Sequence, residues 1–452
     1  MCVSQLLSRR LLAGWTLALL ITIAATVGVM WVLQRPVHRI VSSSMAPHWL
    51  GPHIEFPCDD CGYPLHLDTS LLTVATPLRC PNCAHELGDL PRRLSRGDAI
   101  DVRAWRPEER PTRWQTVVFR SDNGLESLEM KRIVGLPGEV VSIVAGDVLV
   151  DGLRPTRSLQ QFRDMAVPVY DDRFRAQRTK SPDRWVPVEM NTRWQVVPDG
   201  LRCEGGKDAI NESNRTVATK VQQADWIAYR HIDVSNISSS QELESPIDDG
   251  LAFDLLSSAR RHYVNDLLIQ WQLFLTADAW TACQVETAEG RITVCIMSSA
   301  GKITLLQSAS EVSTDLETVG TADYPGALSD IRVEFAIFDG RIVLAIDGRV
   351  IMSEQQKTAS FAGVSSSRPI RFAGAGAAVR IENIRIWRDI YFLDPQDANH
   401  PWSMARSLGP DEYFALGDNP SVSVDSRQRH EACPLSRKLL LGKALRFSRR
   451  PG

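Results

Sequence analysis

The chain has 452 residues, with 51 basic and 54 acidic side chains and a formal net charge of −3. At about 150 residues per domain, this length suggests roughly three domains. The near balance of charge argues against a dedicated nucleic-acid binder, which usually carries a strongly basic face. Hydrophobic residues make up 44% and charged residues 23%, which excludes wholesale disorder, collagen and a polytopic membrane protein. Nine cysteines are too few for a disulfide scaffold.

An uncharged apolar run occupies residues 11–33. As a helix it would be about 34 Å long, enough to cross a hydrocarbon core of about 30 Å. A cleaved signal peptide is the alternative, but its apolar core is shorter, and Trp31 stands where cleavage would be expected. We therefore predict a tail at 1–10 and an uncleaved transmembrane helix at 11–33. Arginines on both sides leave its orientation open.

Three short segments carry residues suited to catalysis. The first contains Ser42, Ser43 and Ser44 before a Met, and by itself it is typical of a Ser-rich linker. The second, residues 128–140, holds a Lys-Arg pair on a strand that ends in a Gly-Leu-Pro-Gly turn, although a lone Lys on a strand is usually a solvated edge charge. The third, residues 413–427, contains Gly-Asp-Asn and then Ser-Val-Asp-Ser-Arg.

Together and in this order, the three segments resemble those of the type I signal peptidases. Ser44 matches the nucleophile of the family's Ser-x-Ser-Met-x-Pro box, and Lys131 matches the general base of its Lys-Arg-x-x-Gly-x-Pro-Gly box. Shorter matches at 96–102, 148–152 and 442–444 follow the family order, and Pro420 departs from it. The resemblance implies a bacterial, membrane-anchored serine endopeptidase (a hydrolase) that cleaves signal peptides from exported preproteins.

The chemistry of a Ser/Lys pair explains these residue types. A Ser hydroxyl needs a base to remove its proton, and Lys is a base only when neutral. Burial is therefore expected to lower the Lys pKa from about 10.4 toward about 7–8. The resemblance also implies an oxyanion hole made by Ser42 and the Ser44 N–H. It further implies dyad-orienting roles for Gly417, Ser423, Asp425 and Arg427, and a substrate pocket lined by Ile40 and Met130.

Other catalytic patterns are missing from the sequence. None of the nine His lies in a Gly-x-Ser-x-Gly or His-Gly-Gly context, so a Ser-His-Asp triad is not supported. His-Glu-x-x-His is absent, so a zinc metalloprotease is not supported either. We therefore expect no cofactor for catalysis.

Four cysteines between the first two segments have the spacing of a zinc ribbon. Cys58, Cys61, Cys80 and Cys83 form two Cys-x-x-Cys pairs, which fit one tetrahedral Zn²⁺ between two turns. The alternative is a pair of disulfides in an oxidising exterior. We predict a structural zinc ribbon at 58–87, because four Cys ligands leave no open position for catalysis.

A long insertion at 156–405 separates the second segment from the third. Its second part alternates apolar and polar residues, for example at 331–337 and 341–346, with Asp-Gly turns at 339–340 and 347–348. Further strands are predicted at 267–275, 292–296 and 379–387. The pattern resembles laminin-G/concanavalin-like sandwiches (jelly rolls) over 225–405, whereas 156–224 stays unassigned or supplies the first strands. Such folds often bind glycans or proteins, and a spacer without a ligand is equally open.

The sequence thus predicts a mainly β protein with an N-terminal transmembrane helix. An all-β, signal-peptidase-like catalytic domain at 34–57, 88–155 and 406–452 is interrupted by the small four-cysteine zinc ribbon and the β-sandwich. The resemblance implies location at the plasma membrane, single-pass, with a cytoplasmic N-terminus and an extracytoplasmic catalytic domain. The expected partners are preprotein signal peptides, the lipid bilayer and a possible glycan or protein ligand, and no nucleic acid. The alternative is a catalytically impaired signal-peptidase-like scaffold that displays a glycan- or protein-binding sandwich at the cell surface.

Overall fold

The computed structural model of the protein describes most of the chain from residue 38 onward. The described residues are 22, 38–69, 71, 78–91, 94–121, 128–177, 181–204, 216–234, 244–254, 262–276, 279–297, 301–308, 315–324, 329–356, 363–376, 378–393, 401–427 and 433–446. The predicted tail and transmembrane helix lie outside these ranges, apart from Thr22. Within them, no helix is both long enough and apolar enough to cross a membrane. This finding contradicts the predicted single-pass plasma-membrane location, which we correct here, and it gives the lipid bilayer no support as a partner.

The described residues form a mainly β structure. Its first part contains β1 (His38–Arg39), β2 (His53–Pro57), β3 (Pro64–Asp68), β4 (Leu94–Ser95), β5 (Ala99–Ala104), β6 (Thr116–Arg120), β7 (Leu128–Gly135), β8 (Val141–Val144) and β9 (Asp147–Val150). The middle part begins with α1 (Leu159–Arg163), β10 (Val167–Asp171), β11 (Trp185–Pro187), β12 (Trp194–Val197), β13 (Gly200–Glu204), α2 (Val217–Gln222) and β14 (Trp226–Tyr229).

Ten long strands complete the middle part. They are β15 (Leu267–Leu275), β16 (Trp280–Thr287), β17 (Gly290–Met297), β18 (Lys302–Ser308), β19 (Leu316–Asp323), β20 (Ser329–Phe338), β21 (Arg341–Ile346), β22 (Arg349–Gln355), β23 (Ile370–Ala375) and β24 (Ala378–Arg388). The C-terminal part holds β25 (Trp402–Ser403), β26 (Glu412–Leu416), β27 (Leu435–Ser436), a 3-10 helix (Arg437–Leu439) and β28 (Leu440–Arg446).

One seven-stranded sheet unites the predicted catalytic segments. Its strand order is β1-β5-β28-β6-β7-β26-β27, so the first and last parts of the chain interleave. Strand β7, which carries Lys131, lies between β6 and β26. A separate three-stranded sheet has the order β25-β8-β9. Its strand β25 begins at Trp402, slightly before the predicted domain boundary at residue 406. The insertions therefore do not interrupt the sheet that contains β7.

Two further sheets form a sandwich in the long insertion. One has the order β12-β13-β24-β15-β20-β21-β22 with β10 also paired to β24, and the other has the order β11-β14-β23-β16-β17-β18-β19. Trp271 and Phe335 from the first sheet share a buried core with Phe372 from the second. Strands β10–β13 lie within 156–224, so the unassigned segment supplies strands to both sheets, and the sandwich starts well before residue 225.

The Asp-Gly turns behave as the sequence predicts. Asp339 and Gly340 have φ angles of 53° and 71°, and Asp347 and Gly348 have 49° and 81°. This left-handed geometry matches the twist of the flanking strands in two-residue hairpins, and Asp and Gly tolerate it. The predicted strands 267–275 and 341–346 are β15 and β21 to the residue.

Helices cover part of each outer face of the sandwich. Leu159 and Phe162 of α1 pack with Leu268 and Phe338 on the first sheet. Val221 of α2 belongs to an apolar cluster on the outer side of β16, β17 and β23. Both sheets are therefore buried on two faces in these regions, which explains their near-continuous apolar strands.

Arg157 joins the part of the chain that carries β6 and β7 to the sandwich. Its guanidinium is buried, donating to Asp389 Oδ1 at 2.8 Å and to Asp339 Oδ2 at 3.0 Å, and it lies 5.3 Å from the Trp114 ring centroid. Trp114 precedes β6, whereas Asp339 and Asp389 belong to the sandwich. Arg157, which lies in the segment that leads into the sandwich, thus pairs with two buried carboxylates of the sandwich.

We predict that Arg157→Met destabilises the protein by about 3–5 kcal/mol, because two buried carboxylates lose their shared cation. The matched control is Arg173→Met, since Arg173 is 49% exposed in its pair with Asp171. That change is expected to cost at most about 1 kcal/mol. Urea unfolding of both variants measures the difference, and equal losses would contradict the proposed role of the junction.

Candidate active site and metal centre

Ser44 and Lys131 meet at the seven-stranded sheet that contains β7. The Lys131 Nζ donates to Ser44 Oγ at 2.9 Å, and both side chains are buried. Lys131 comes from the middle of β7, and Ser44 comes from the turn after β1. The Ser42 Oγ lies 3.2 Å from the Ser44 Oγ. The structure therefore brings together the three side chains named from the first two segments.

Burial determines the electrostatics of the lysine. Desolvation lowers the pKa of Lys131 from its ordinary value, while Asp425, Glu129 and Asp418 oppose that shift from a distance. No carboxylate oxygen within salt-bridge distance of Lys131 is found among the described residues. Lys131 therefore loses its proton at a lower pH than an exposed lysine does, and the neutral amine that remains is the form that accepts a proton.

The segment after β26 fixes the backbone around Ser44. Asp425 accepts from the Gly417 N–H at 3.1 Å and from Arg427 at 2.7 and 2.9 Å. Burial alone would raise the pKa of Asp425, but Arg427 holds it below its ordinary value, so the carboxylate stays charged. The Asn419 N–H donates to the Ser44 carbonyl at 3.0 Å. The segment thus holds the turn that carries Ser44 through its main chain.

Gly417 permits a close approach of two backbones. A Cβ at this position would lie 2.6 Å from the Ser44 carbonyl oxygen and 2.2 Å from the Ser423 Oγ. Both distances are far below van der Waals contact, so Gly417 is required sterically. Ser423 is therefore placed against Gly417, beside the segment that carries Asp425 and Arg427.

Asp418 is a site residue that sequence reasoning did not single out. It is fully buried, accepts from Arg132 at 2.7 and 2.5 Å, and lies 2.9 Å from His48 Nδ1. Burial would raise the pKa of Asp418, but Arg132 and His48 hold it well below its ordinary value. In the sequence, only their positions mark these two residues as part of the site: Arg132 follows Lys131, and Asp418 follows Gly417. The pair ties β7 to the segment that supports Ser44.

An open, largely apolar cleft of about 750 Å³ lies beside the dyad. The predicted pocket residues Ile40 and Met130 both line it, and they belong to one buried apolar cluster with Met45. Val424 also lines the cleft and is 68% exposed. Ser44 and Lys131 therefore line a groove that offers apolar contacts.

The four ribbon cysteines converge on one point. Their sulfur atoms all lie within 4.8 Å of one another, with Cys58–Cys83 and Cys61–Cys80 at 3.8 Å. A disulfide requires about 2.05 Å, so neither pair is bonded. Four sulfurs at about 2.3 Å from a tetrahedral zinc stand about 3.8 Å apart. The donor set and its spacing fit a zinc ion.

The ribbon contacts both neighbouring parts of the protein. It is a three-stranded sheet, β3-β2-β4, that extends beyond the predicted range 58–87 on both sides. Asn82, in the second cysteine turn, is buried and donates to the carbonyls of Asp171 and Phe174 in the sandwich. Asp68, at the end of β3, accepts from the Ser43 hydroxyl at 2.6 Å. The ribbon therefore reaches the residue directly before Ser44.

Comparisons with known proteins give structural neighbours only. No family model matches the chain, and no curated protein matches it. The solved structures include the carbohydrate-binding module CBM66 from Bacillus subtilis, at 9% identity over 45% of this chain and 95% of that chain, with a TM-score of 0.26. They include a Bacillus subtilis protein of unknown function with a galectin-like fold, at 9% identity over 52% and 93%, with a TM-score of 0.27. They also include the binding domain of botulinum neurotoxin DC in complex with rat synaptotagmin II, at 13% identity over 46% and 44%, with a TM-score of 0.26.

These findings correct the family assignment. No family model and no curated protein supports that assignment, and the structural neighbours named above are β-sandwich proteins. The predicted membership of the type I signal peptidase family is therefore wrong, and so are the descriptors that depend on it, including signal peptide processing. The named neighbours are similar to this chain in the sandwich, which is the part that the alternative prediction describes as a glycan- or protein-binding domain. They fit the sandwich that the strand pairing shows directly.

We predict that Gly417→Ala lowers the free energy of unfolding by about 1–3 kcal/mol, because the added methyl overpacks a closed contact. The matched control is Gly88→Ala, where a Cβ meets nothing within 4 Å. The control is expected to change stability by less than about 0.5 kcal/mol. Thermal or urea unfolding compares the two, and a neutral Gly417→Ala would show that the contact is not rigid.

Proposed function

We propose that the protein is a serine hydrolase in which Ser44 is the nucleophile and Lys131 is the general base. The observation that carries this proposal is the 2.9 Å contact between the buried Lys131 Nζ and the Ser44 Oγ. The proposal rests on this geometry and on the lowered pKa of Lys131, and it requires no family membership. A buried amine beside a hydroxyl at the edge of an open cleft is the arrangement that nucleophilic catalysis needs.

The proposed reaction is acyl transfer in two steps. Neutral Lys131 takes the proton of Ser44 as its oxygen attacks the substrate carbonyl, and the resulting ammonium gives that proton to the leaving group. In this proposal the Ser42 hydroxyl, whose Oγ lies 3.2 Å from the Ser44 Oγ, and the Ser44 N–H stabilise the oxyanion. Water activated by Lys131 then releases the acyl group from Ser44. Asp425 and Asp418 take no proton, because arginines hold both as carboxylates.

The cleft supports a peptide as the acyl substrate. Ile40 and Met130 offer apolar contacts beside the nucleophile, and Val41 and Val424 at its rim are 76% and 68% exposed. Exposed apolar side chains next to a groove are typical of a surface that a ligand covers. We therefore propose a peptide bond flanked by apolar residues as the scissile group.

We also propose that the four cysteines hold a structural zinc. Zinc would supply a closed tetrahedral centre that fixes the two cysteine turns. The chain's own contribution is to carry that rigidity to Asn82 on the sandwich side and to Asp68 on the Ser43 side. No catalytic step involves this centre.

A second candidate function is binding of a glycan or a protein by the sandwich. The names of the sandwich neighbours, a carbohydrate-binding module and a toxin domain bound to synaptotagmin, supply these two ligand classes. Binding of an immobilised glycan or protein by both wild type and Ser44→Ala, without hydrolysis by either, would favour this candidate over the hydrolase.

We predict that Ser44→Ala and Lys131→Met each reduce peptide hydrolysis by at least about a thousandfold, because loss of either group disables the same step. Matched controls are Ser142→Ala on β8 and Lys438→Met on the exposed 3-10 helix, both expected to leave the rate unchanged. Mass spectrometry of a diverse peptide pool after incubation measures cleavage. Cleavage retained by either dyad variant would refute the assignment.

The rate of hydrolysis is expected to rise with pH and then level off. Lys131 acts only when deprotonated, and burial lowers its pKa from 10.5, so activity appears as the pH rises through that lowered value. The measurement is kcat/KM against pH for one cleaved peptide. A wild-type profile that falls through the alkaline range would contradict Lys131 as the base.

A further inference from the structure

A second cluster of metal-ligating side chains lies on the ribbon, apart from the four cysteines. His53 and Glu55 are two residues apart on β2, so their side chains share one face of the strand. His66 on β3 is the direct cross-strand partner of Glu55. One donor atom from each of the three lies within 4.8 Å of the other two. The strand register, rather than the sequence spacing, brings them together.

The surroundings of both histidines favour binding of a metal ion. His53 is buried, and its Nδ1 lies 2.8 Å from the Gly51 carbonyl, which makes Nδ1 the protonated nitrogen and leaves the Nε2 lone pair free. Metal-binding histidines characteristically donate their other ring N–H to such a carbonyl. The His66 Nδ1 is buried and has no hydrogen-bond partner in the described part of the chain. A buried polar atom left without a partner is destabilising, and a ligand can remove that cost.

We propose that His53, Glu55 and His66 form a second metal site that binds a divalent transition-metal ion of the zinc class. Two imidazoles and a carboxylate suit zinc and its neighbours, whereas calcium and magnesium prefer oxygen ligands only. Three protein ligands leave a fourth position for water, unlike the closed centre made by the four cysteines. Glu55 is exposed, so the site can be reached from solvent on the side of this ligand.

The site lies close to the nucleophile turn. Gly51, whose carbonyl pairs with His53, packs so tightly on the turn that a Cβ would stand 2.7 Å from the Ser42 carbonyl oxygen. An ion held by His53 is therefore one hydrogen bond and one backbone contact away from Ser42. The metal proposal itself does not depend on the hydrolase proposal, because it is tested by binding.

The test is the number of zinc ions bound by the full chain in equilibrium dialysis against Zn²⁺. We expect two equivalents for wild type, one for His66→Ala, and one for Cys80→Ser, which removes the other centre. Glu55→Gln changes an exposed side chain and should raise the Kd of the second ion at least about tenfold while the fold is kept. The matched control is His85→Ala on the same ribbon, where the ring pairs with Asp59, and it should retain two equivalents.

Each result decides the proposal. A single equivalent in wild type, two undiminished equivalents in both His66→Ala and Glu55→Gln, or equal losses in the His85→Ala control would overturn it. Retention of the first, tightly held zinc in His66→Ala shows that the ribbon has folded, so loss of the second ion is then attributable to the missing ligand.

Discussion

The site depends on a buried lysine that has no carboxylate partner among the residues that the structure describes. Burying an ammonium ion is costly unless it is paired, and the protein gives Lys131 a serine hydroxyl instead. Two buried carboxylates lie nearby, but each has its own arginine: Arg132 pairs with Asp418, and Arg427 pairs with Asp425. This division of partners keeps the negative charges from stabilising the charged lysine as strongly as they otherwise would. It also builds the rigid segment that supports Ser44.

The insertions contribute to this arrangement instead of merely interrupting it. Arg427 donates to the carbonyls of Phe392 and Leu393 at the end of the sandwich, so the same guanidinium that restrains Asp425 anchors the insertion. The ribbon reaches the nucleophile turn from the other side through Asp68 and Ser43. Arg157 closes the junction between the sandwich and the part of the chain that carries β6 and β7. The three parts therefore form a connected frame around the Ser44 turn.

Local chemistry made part of this structure predictable. Asp-Gly turns and alternating strands gave β15 and β21 to the residue, and the paired Cys-x-x-Cys motifs gave the four-cysteine cluster. Long-range geometry was harder to foresee. The Asp418–His48 contact joins positions far apart in the chain, and the His53, Glu55 and His66 cluster depends on the register between β2 and β3. The family prediction failed because short motifs constrain a few side chains, whereas membership depends on similarity across the chain, which no family model or curated protein shows. The membrane prediction rested on an apolar run that lies almost wholly outside the described residues.

The protonation state of Lys131 is the quantity that separates a catalytic dyad from a buried hydrogen bond. Nuclear magnetic resonance of isotope-labelled lysine side chains, with the Lys131 signal assigned by its loss in Lys131→Met, measures that state directly as the pH is varied. The account predicts that Lys131 titrates clearly below the exposed lysines of the same protein, because burial lowers its pKa. A Lys131 signal that titrates together with the exposed lysines would contradict the proposed base and, with it, the hydrolase.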